Sequence, residues 1–326
     1  MDKISGFTII ELLVTLFIFS IVMIIVYSSF MTHNRISNAQ KELLLLDQNI
    51  RAVSSIIADY IRMAGFGTKY SLSYESGNSV NGFTQVFTAI DNDNNGSDRL
   101  TVVFANRLVG TVTTNLDNAT SYSGNRIFII SDKINLLDDN RKKYVFFERC
   151  PFNKFFELIS EPQSLGRNKY LLQLRANDYV DAYEGDNVYA VRAITIYYDS
   201  SKEEIKISEN TGAPSQTLAT DVESIQFQYG IDENGDGVYD DTDRDGNPFD
   251  NTVPKDKEKF LKIVKLTILM KTVHPDPSYR DTRTTYNIAN YTINLDTNDS
   301  NGINSKYDWH FRRKMIEIYI TPRNYE

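Results

Sequence analysis

The chain has 326 residues, a net charge of −8 at neutral pH and a single cysteine. The acidic balance argues against a basic nucleic-acid surface, and one cysteine excludes an intramolecular disulfide. His33, His274 and His310 follow no metal-binding or catalytic-triad spacing, and each is expected on a surface or a helix face. These features predict that the protein is not an enzyme.

An apolar run near the N-terminus, ending at Met31, is long enough to cross a bilayer, which takes about 20 residues. The residues before it, Met1 to Gly6, are too few to form the charged region of a secretory signal. Glu11 lies inside the run, where a charge costs roughly 2.5–3.5 kcal/mol or more near the middle of a membrane. A simple single-span anchor is one reading, but an isolated anchor has no use for such an acid. The acid therefore favours a helix that assembles with other chains.

The helical pattern continues beyond the membrane span. Gly65 and Gly67 are stop signals at its end. The pattern predicts a continuous helix from about Thr8 to Met63, roughly 80 Å long at 1.5 Å per residue. We expect a globular body to cover its apolar stripe, with a coiled-coil stalk as the alternative. Steps of three and four residues define this stripe as Ala39, Leu43, Leu46, Ile50, Val53, Ile57, Ile61 and Ala64.

After Gly67 the sequence changes to short strands separated by turn residues, several with the alternation of half-buried strands. The chain has 20 tyrosines and 18 phenylalanines, which suits antiparallel sheets. The predicted fold class is α+β: a long N-terminal helix, transmembrane in its first half, packs on one large antiparallel β-rich domain. The predicted strands are Phe83–Ile90, Arg99–Ala105, Leu108–Thr113, Arg126–Ser131, Lys143–Arg149, Phe155–Ser160, Tyr170–Arg175, Val188–Tyr198, Glu204–Ser208, Ser224–Tyr229, Lys262–Val273, Thr285–Leu295 and Arg312–Thr321.

Residues 232–250 form an acidic loop with eight acidic residues and one arginine. Oxygen ligands at positions 1, 3, 5 and 9 of its first half, with glycine at position 6, have the spacing of a loop that wraps a hard cation. The predicted Ca²⁺ ligands are Asp232, Asn234, Asp236, the carbonyl of Val238, Asp240 and Asp243. A solvated acidic hairpin tip is the alternative. Without a cation, however, carboxylates so close together would repel one another.

Gly6, Phe7 and Glu11 together resemble the type III signal of type IV prepilins and pseudopilins. The resemblance implies cleavage between Gly6 and Phe7 by a prepilin peptidase, followed by N-methylation of Phe7. Glu11 would then pair with the new α-amino group of a neighbour's Phe7, which would offset much of the burial cost. The resulting domain bounds are a leader at 1–6, a transmembrane half-helix at 7–31, a periplasmic half-helix at 32–66 and a β-rich pilin domain at 67–326.

Further stretches resemble the minor pilin W family (PilW), relatives of the type II secretion minor pseudopilin J. They are Ile61–Gly67, Gly96–Val103, Leu218–Gly237, Phe311–Met315 and Pro322–Asn324. The resemblance implies a scarce subunit that primes pilus assembly in a tip complex and supports adhesion or motility.

Its implied partners are other minor pilins, the major pilin, the prepilin peptidase and the assembly platform of the inner membrane. Its implied location is the inner membrane, crossed once, with the body in the periplasm, and later the pilus at the cell surface. A minor pseudopilin of a type II secretion system and a pilus-tip adhesin are the alternatives.

Overall fold

A computed structural model describes residues 8–67, 79–113, 121–137, 143–149, 155–175, 180–242, 246–295 and 307–325. Within these ranges one long helix, α1 (Ile9–Met63), is followed by seventeen strands. The strands are β1 (Phe87–Asn94), β2 (Ser97–Thr113), β3 (Ser121–Gly124), β4 (Arg126–Ile130), β5 (Lys143–Phe147), β6 (Phe156–Leu158), β7 (Gln163–Gly166), β8 (Lys169–Gln173), β9 (Val180–Tyr183), β10 (Asn187–Asp199), β11 (Glu204–Ser208), β12 (Gln216–Ala219), β13 (Val222–Ile231), β14 (Leu261–Lys271), β15 (Thr285–Ile288), β16 (Tyr291–Asn294) and β17 (Arg313–Ile320). Short 3-10 turns cover Ile134–Leu137, Glu258–Phe260 and Arg323–Tyr325.

Helix α1 confirms the predicted helix at both ends. Thr8 is its N-cap, and the helix continues without interruption through the apolar run to Met63. The apolar part is long and hydrophobic enough to cross a membrane, and none of that stretch is buried against the body. The turn that follows contains Gly65, whose φ of 76° suits glycine and whose N–H donates to the carbonyl of Val103 at 3.0 Å.

The body covers the apolar stripe only from Leu46 onward. The prediction for Leu43 is wrong, because its side chain is 39% exposed, and Ala39 is only half-buried. The helix between Met31 and Leu46, about 22 Å at 1.5 Å per residue, is therefore largely uncovered. The buried members of the stripe are Leu46, Ile50, Val53, Ile57, Ile61 and Ala64.

Two antiparallel sheets form most of the body. The larger has ten strands with the main order β12-β11-β10-β2-β4-β8-β7, and the smaller has the order β13-β14-β17. Two further ribbons pair β3 with β9 and β15 with β16. Helix α1 contacts β2 and β12 of the larger sheet and β14 and β17 of the smaller one. Its covered half thus joins the two sheets.

Three differences from the predicted strands have local causes. Arg99–Ala105 and Leu108–Thr113 merge into β2, because irregularities in its pairing with β10 shift the register without ending the strand. Thr285–Leu295 is instead the hairpin β15–β16, with Ala289 and Asn290 as its turn. The short strands β3, β7, β9 and β12 were missed, because four residues are too few to show an alternating pattern.

Buried apolar side chains form three clusters. The largest lies between α1 and the two sheets. A second is built from β4, β5, β6 and β8 together with parts of β2 and β10. A third and smaller cluster gathers Leu269 and the inward side chains of the β15–β16 hairpin.

Contacts with α1 fix the direction of the small sheet. Lys314, at the start of β17, pairs with Asp47, whereas Asn324, just beyond β17, reaches the helix end at Ala64. Strand β17 therefore runs parallel to α1 and away from the membrane span. Because β14 is antiparallel to β17, its last residue, Lys271, lies at the end nearest the membrane.

The large sheet extends past the end of α1. Strand β2 begins on the membrane-near side of the body. Asn95, two residues before its first residue, donates from its side-chain amide to the hydroxyl of Tyr307 at 2.9 Å. Further along, the Ala105 N–H donates to the carbonyl of Phe66 at 2.9 Å, at the level of the helix end. Residues 106–113 of β2 continue beyond that level and carry the second apolar cluster.

Candidate functional site

The start of α1 carries the acid of the membrane segment. Glu11 Oε2 accepts from the Thr8 backbone N–H at 2.9 Å and from its hydroxyl at 3.0 Å, and the Glu11 N–H donates to Thr8 Oγ1 at 3.4 Å. This reciprocal capping box gives the carboxylate polar partners on its own helix. Gly6 and Phe7, the predicted cleavage site, lie outside the described residues. Pairing of Glu11 with a neighbour's Phe7 stays a prediction.

The acidic loop after β13 is held by its own backbone amides. These amides offset part of the repulsion between the carboxylates. Glu233, within the loop, pairs with Lys257 at 2.8 Å, and this hydrogen-bonded carboxylate raises the pKa of Lys257. The hydrogen bonds that these amides donate are 2.6–3.2 Å long. The backbone N–H groups of Gly235 and Gly237 donate to the Asp232 carboxylate, and that of Glu233 donates to the Asp240 carboxylate. The N–H of Asp236 donates to the Asn234 side chain, and that of Val238 donates to the Asp236 carboxylate.

The calcium prediction stays open at this loop. Asp243 lies outside the described residues. Of the other predicted ligands, Asp232 is buried, whereas Asn234 and Asp236 are exposed. In the part of the chain that the structure describes, no three or more histidine, cysteine, aspartate or glutamate side chains are grouped to hold a metal ion.

The stretch Gly96–Val103 covers the free edge of β13. Ser97 Oγ accepts from the Ile225 N–H at 3.4 Å, and Asp98 Oδ2 accepts from the Phe227 N–H at 2.8 Å. These N–H groups point away from β14, so the two side chains occupy an edge that would otherwise be open. The stretch thus joins the large sheet to the small one.

Two residues of this stretch have demanding surroundings. Gly96 has a φ of 73°, and a Cβ there would lie 2.0 Å from the ring of Tyr291, so the position requires glycine. Burial raises the pKa of Asp98 from 3.8 to about 7, against the opposing effect of its backbone donors and with a smaller contribution from Asp91. The joint therefore contains a buried acid that titrates near neutrality.

A buried ion pair connects Leu218–Gly237 with Phe311–Met315. Arg313 Nε and Nη2 donate to the two carboxylate oxygens of Glu223 at 2.7 and 2.9 Å, and neither side chain is exposed. Arg313 Nη1 also donates to two backbone carbonyls. A bidentate pair of this kind satisfies both partners and fixes their relative position. It cross-links β13 and β17, the outer strands of the small sheet.

Pro322–Asn324 caps the end of α1. Asn324 Nδ2 donates to the carbonyls of Met63 at 3.4 Å and Ala64 at 2.9 Å. Carbonyls in the last turn of a helix lack partners within the helix. The C-terminal stretch therefore anchors the helix end that Ile61–Gly67 forms.

The family-like stretches thus meet at the joints between α1 and the two sheets. Sequence reasoning missed this shared role, because the contacting residues are far apart in the chain, 261 positions for Asn324 and Met63. One signal was available in Glu223, an acid inside a strand that is otherwise apolar or uncharged. Such a residue needs a partner when it is buried.

Two of the three histidines, His274 and His310, contact separate carboxylates. The surface prediction for His310 is wrong, because its side chain is 7% exposed and lies 2.7 Å from Asp308. His274 is exposed, as expected, and contacts Glu42 of α1 at 3.1 Å. His33 is exposed on α1.

Comparisons with known proteins identify two regions. The family model described as Type IV Pilus-assembly protein W matches residues 174–324. The model of the prokaryotic N-terminal methylation motif matches residues 1–27. Among the family-like stretches, Leu218–Gly237 and the two near the C-terminus lie inside the first match, whereas Ile61–Gly67 and Gly96–Val103 lie outside both.

Other comparisons are distant or negative. No curated protein matches the chain. Among solved structures, the chain is similar to the type IV-like pilin TTHA1219 from Thermus thermophilus, with 8% identity over 86% of this chain and 98% of that one, at a TM-score of 0.36.

We expect Arg313→Met to lower the free energy of unfolding by about 3–5 kcal/mol, because it leaves the Glu223 carboxylate buried without its partner. Adding Glu223→Gln should recover part of the loss by removing the buried charge. Urea unfolding of the full chain in detergent measures both effects. The control Arg51→Met breaks an exposed pair with Asp47 and should cost less than about 1 kcal/mol. Equal losses of stability in Arg313→Met and Arg51→Met would contradict a special role for the buried pair.

For the acidic loop, millimolar Ca²⁺ should raise the melting temperature of the full chain in detergent, because a cation relieves the remaining repulsion between carboxylates. The rise should disappear in Asp236→Ala and persist in Asp256→Ala, which removes an exposed acid outside the predicted ligand set. Mg²⁺ at the same concentration controls for ionic strength. No shift in the wild type would remove the site.

Proposed function

The chain belongs to the PilW family of type IV pilus-assembly proteins, and on that premise we propose that this minor pilin primes assembly from within a pilus-tip complex. Its N-terminal methylation motif and apolar helix anchor a pilus protein of this kind in a membrane. The family consists of structural assembly proteins, so the proposed role is one of binding and positioning other subunits.

The observation that carries the tip position is the extension of the body past α1. Residues 106–113 of β2 continue beyond the helix end, by up to about 26 Å at 3.3 Å per residue. The strands of the second apolar cluster widen this extension. A subunit in the shaft must leave room for neighbours above it, whereas a subunit at the tip has none above. The extended body therefore favours the tip.

Docking to sister subunits is proposed to use the other end of the chain. After cleavage, Phe7 would lie two positions before Ile9, the first residue of α1, and its α-amino group would pair with a neighbour's Glu11. A charge pair formed in the membrane offsets a cost of roughly 2.5–3.5 kcal/mol for an unpaired acid. The capping box with Thr8 keeps Glu11 satisfied in the single subunit until such a partner arrives.

The proposed sequence of events begins in the inner membrane, where α1 crosses once and the body lies in the periplasm. The prepilin peptidase would remove residues 1–6, and the assembly platform would then bring the subunit together with other minor pilins and the major pilin. Because the body covers α1 only from Leu46 onward, the preceding helix is available to these partners.

Deletion of the gene should abolish surface pili or sharply reduce their number, and complementation should restore them. Complementation with Glu11→Ala should fail, because the membrane charge pair is lost, whereas Glu42→Ala, the same change on α1 beyond the apolar span, should succeed. Electron microscopy counts the pili, and immunoblots confirm equal protein levels. Normal piliation in the deletion strain would favour the secretion pseudopilin or a dispensable adhesin.

Immunogold label against the body should appear at pilus ends, because the extended body blocks the position above it. Label against the major pilin, along the whole shaft of the same preparation, is the matched control. Gold against this chain along the shafts would contradict the tip position without affecting the assembly role.

A further inference from the structure

One end of the body faces the membrane, and contacts with α1 identify it. Asn324 lies at Ala64, Lys314 at Asp47 and His274 at Glu42, in order of decreasing distance from the membrane span. The described residues directly after Lys271 and directly before Arg313 therefore lie on the membrane-near side of the small sheet. We call residues 272–283 and 307–312 the floor.

The floor continues the β14–β17 ladder toward the membrane. The Thr272 N–H donates to the carbonyl of Arg312 at 2.9 Å, the Asp276 N–H to His310 at 3.0 Å, and the Asp281 N–H to Trp309 at 2.9 Å. These backbone bonds tie the two segments together below the last ladder pair, Lys271 and Arg313. The floor is thus a built part of the body.

The exposed charges of the floor are cationic. Arg280 and Arg283 are exposed, with guanidinium groups stacked 4.7 Å from the ring centre of Trp309 and 5.1 Å from that of Tyr286. Within residues 272–283 and 307–312, all of which the structure describes, His274 is the other exposed titratable group, and it contacts α1.

The acids of the floor are turned inward or paired. Asp281 and Asp308 are buried, at 7% and 3% exposure, and Asp281 accepts from the hydroxyl of Tyr286 at 2.5 Å. Asp276 pairs with Arg312 at 2.9 Å. The outer surface of the floor therefore presents arginine together with half-buried tryptophan and tyrosine, as protein surfaces at membrane interfaces do.

Charge is distributed unevenly along the body. The chain as a whole is acidic at −8, and the loop at 232–250, with eight acidic residues and one arginine, lies beyond the far end of β13. Ile231 of β13 pairs with Leu261, at the end of the small sheet that is away from the membrane. The acidic excess is thus at one end of the small sheet and the exposed arginines are at the other.

The floor lies on the side of the body that faces the lipid headgroups. Glu42, which contacts His274, follows Met31 by 11 residues, or about 16 Å at 1.5 Å per residue. The headgroup layer fills roughly the first 5–8 Å outside the hydrocarbon core. A helix tilt of about 20° brings one side of the body closer to the bilayer.

We propose that the floor docks on anionic phospholipid headgroups of the bilayer that holds α1, with Arg280 and Arg283 as the contacting cations and Trp309 at the interface. The contact would hold the body in a fixed orientation while the subunit waits in the membrane, and extraction into a pilus would release it. The inference depends on membrane anchoring alone and goes beyond the proposed place of the subunit in the pilus.

Trp309 is the only tryptophan of the chain, so its fluorescence reports on the floor without labelling. The full chain is reconstituted in nanodiscs of phosphatidylcholine, with or without phosphatidylglycerol, and a quencher is attached to the headgroups. We expect a shift of the emission to shorter wavelength and stronger quenching in the anionic discs. Both effects should weaken as salt is raised, because exposed charges are screened.

The variant Arg280→Gln/Arg283→Gln should lose the difference between the two lipids. The matched control, Lys255→Gln/Lys262→Gln, removes two exposed cations elsewhere on the body and should keep it. Emission and melting temperature in detergent verify that each variant is folded. If the double arginine variant does not fold, the salt titration of the wild type still decides the matter.

Three results would overturn the proposal: the same Trp309 emission in both lipids, quenching that salt does not change, or an equal loss in the lysine control. None of these bears on whether pili form in the deletion strain. A failure of the floor proposal is therefore distinguishable from a failure of the proposed function.

Discussion

The structure depends on one continuous helix that must satisfy two environments. Its first half is apolar on all sides and lies outside the body, as a membrane span requires, while its second half is apolar on one stripe that the body buries from Leu46 to Ala64. Because the backbone bonds of a helix are internal, the same element crosses from lipid to protein without losing a hydrogen bond. The position of the body on the helix then decides how much of α1 is left for other subunits.

Polar groups fix that position more specifically than the apolar core could alone. An apolar stripe tolerates a shift along the helix, because burial energy depends on area and not on exact partners. Asn324 at the helix end and Lys314 at Asp47 set the axial position, whereas Asp98 and the Glu223–Arg313 pair set the position of one sheet against the other. A shift of any of these partners breaks a hydrogen bond or an ion pair, and for Glu223 and Arg313 it leaves a buried charge unpaired.

The resulting subunit has two different ends. Toward the membrane it presents a bare helix and a floor whose exposed charges are basic. Away from the membrane it presents the acidic loop and the extension of the large sheet past α1. This asymmetry is consistent with a role in pilus assembly.

Local features of the sequence determined the class of this protein. The 3.6-residue period and Gly65 predicted the extent of α1, and the apolar run predicted the membrane span. The Gly6–Phe7–Glu11 leader and the later family-like stretches indicated a PilW-type pilin. Predictions from local pattern were wrong where contacts between distant segments determine burial or strand pairing. Leu43 continues the stripe but is not covered by the body, the β2 strand passes through a bulge that looks like a break, and His310 is buried by segments that the sequence does not place together. The joint itself, with partners such as Glu223 and Arg313 90 positions apart, exists only after the sheets have formed, because no local rule relates the distance between residues in the chain to their distance in space.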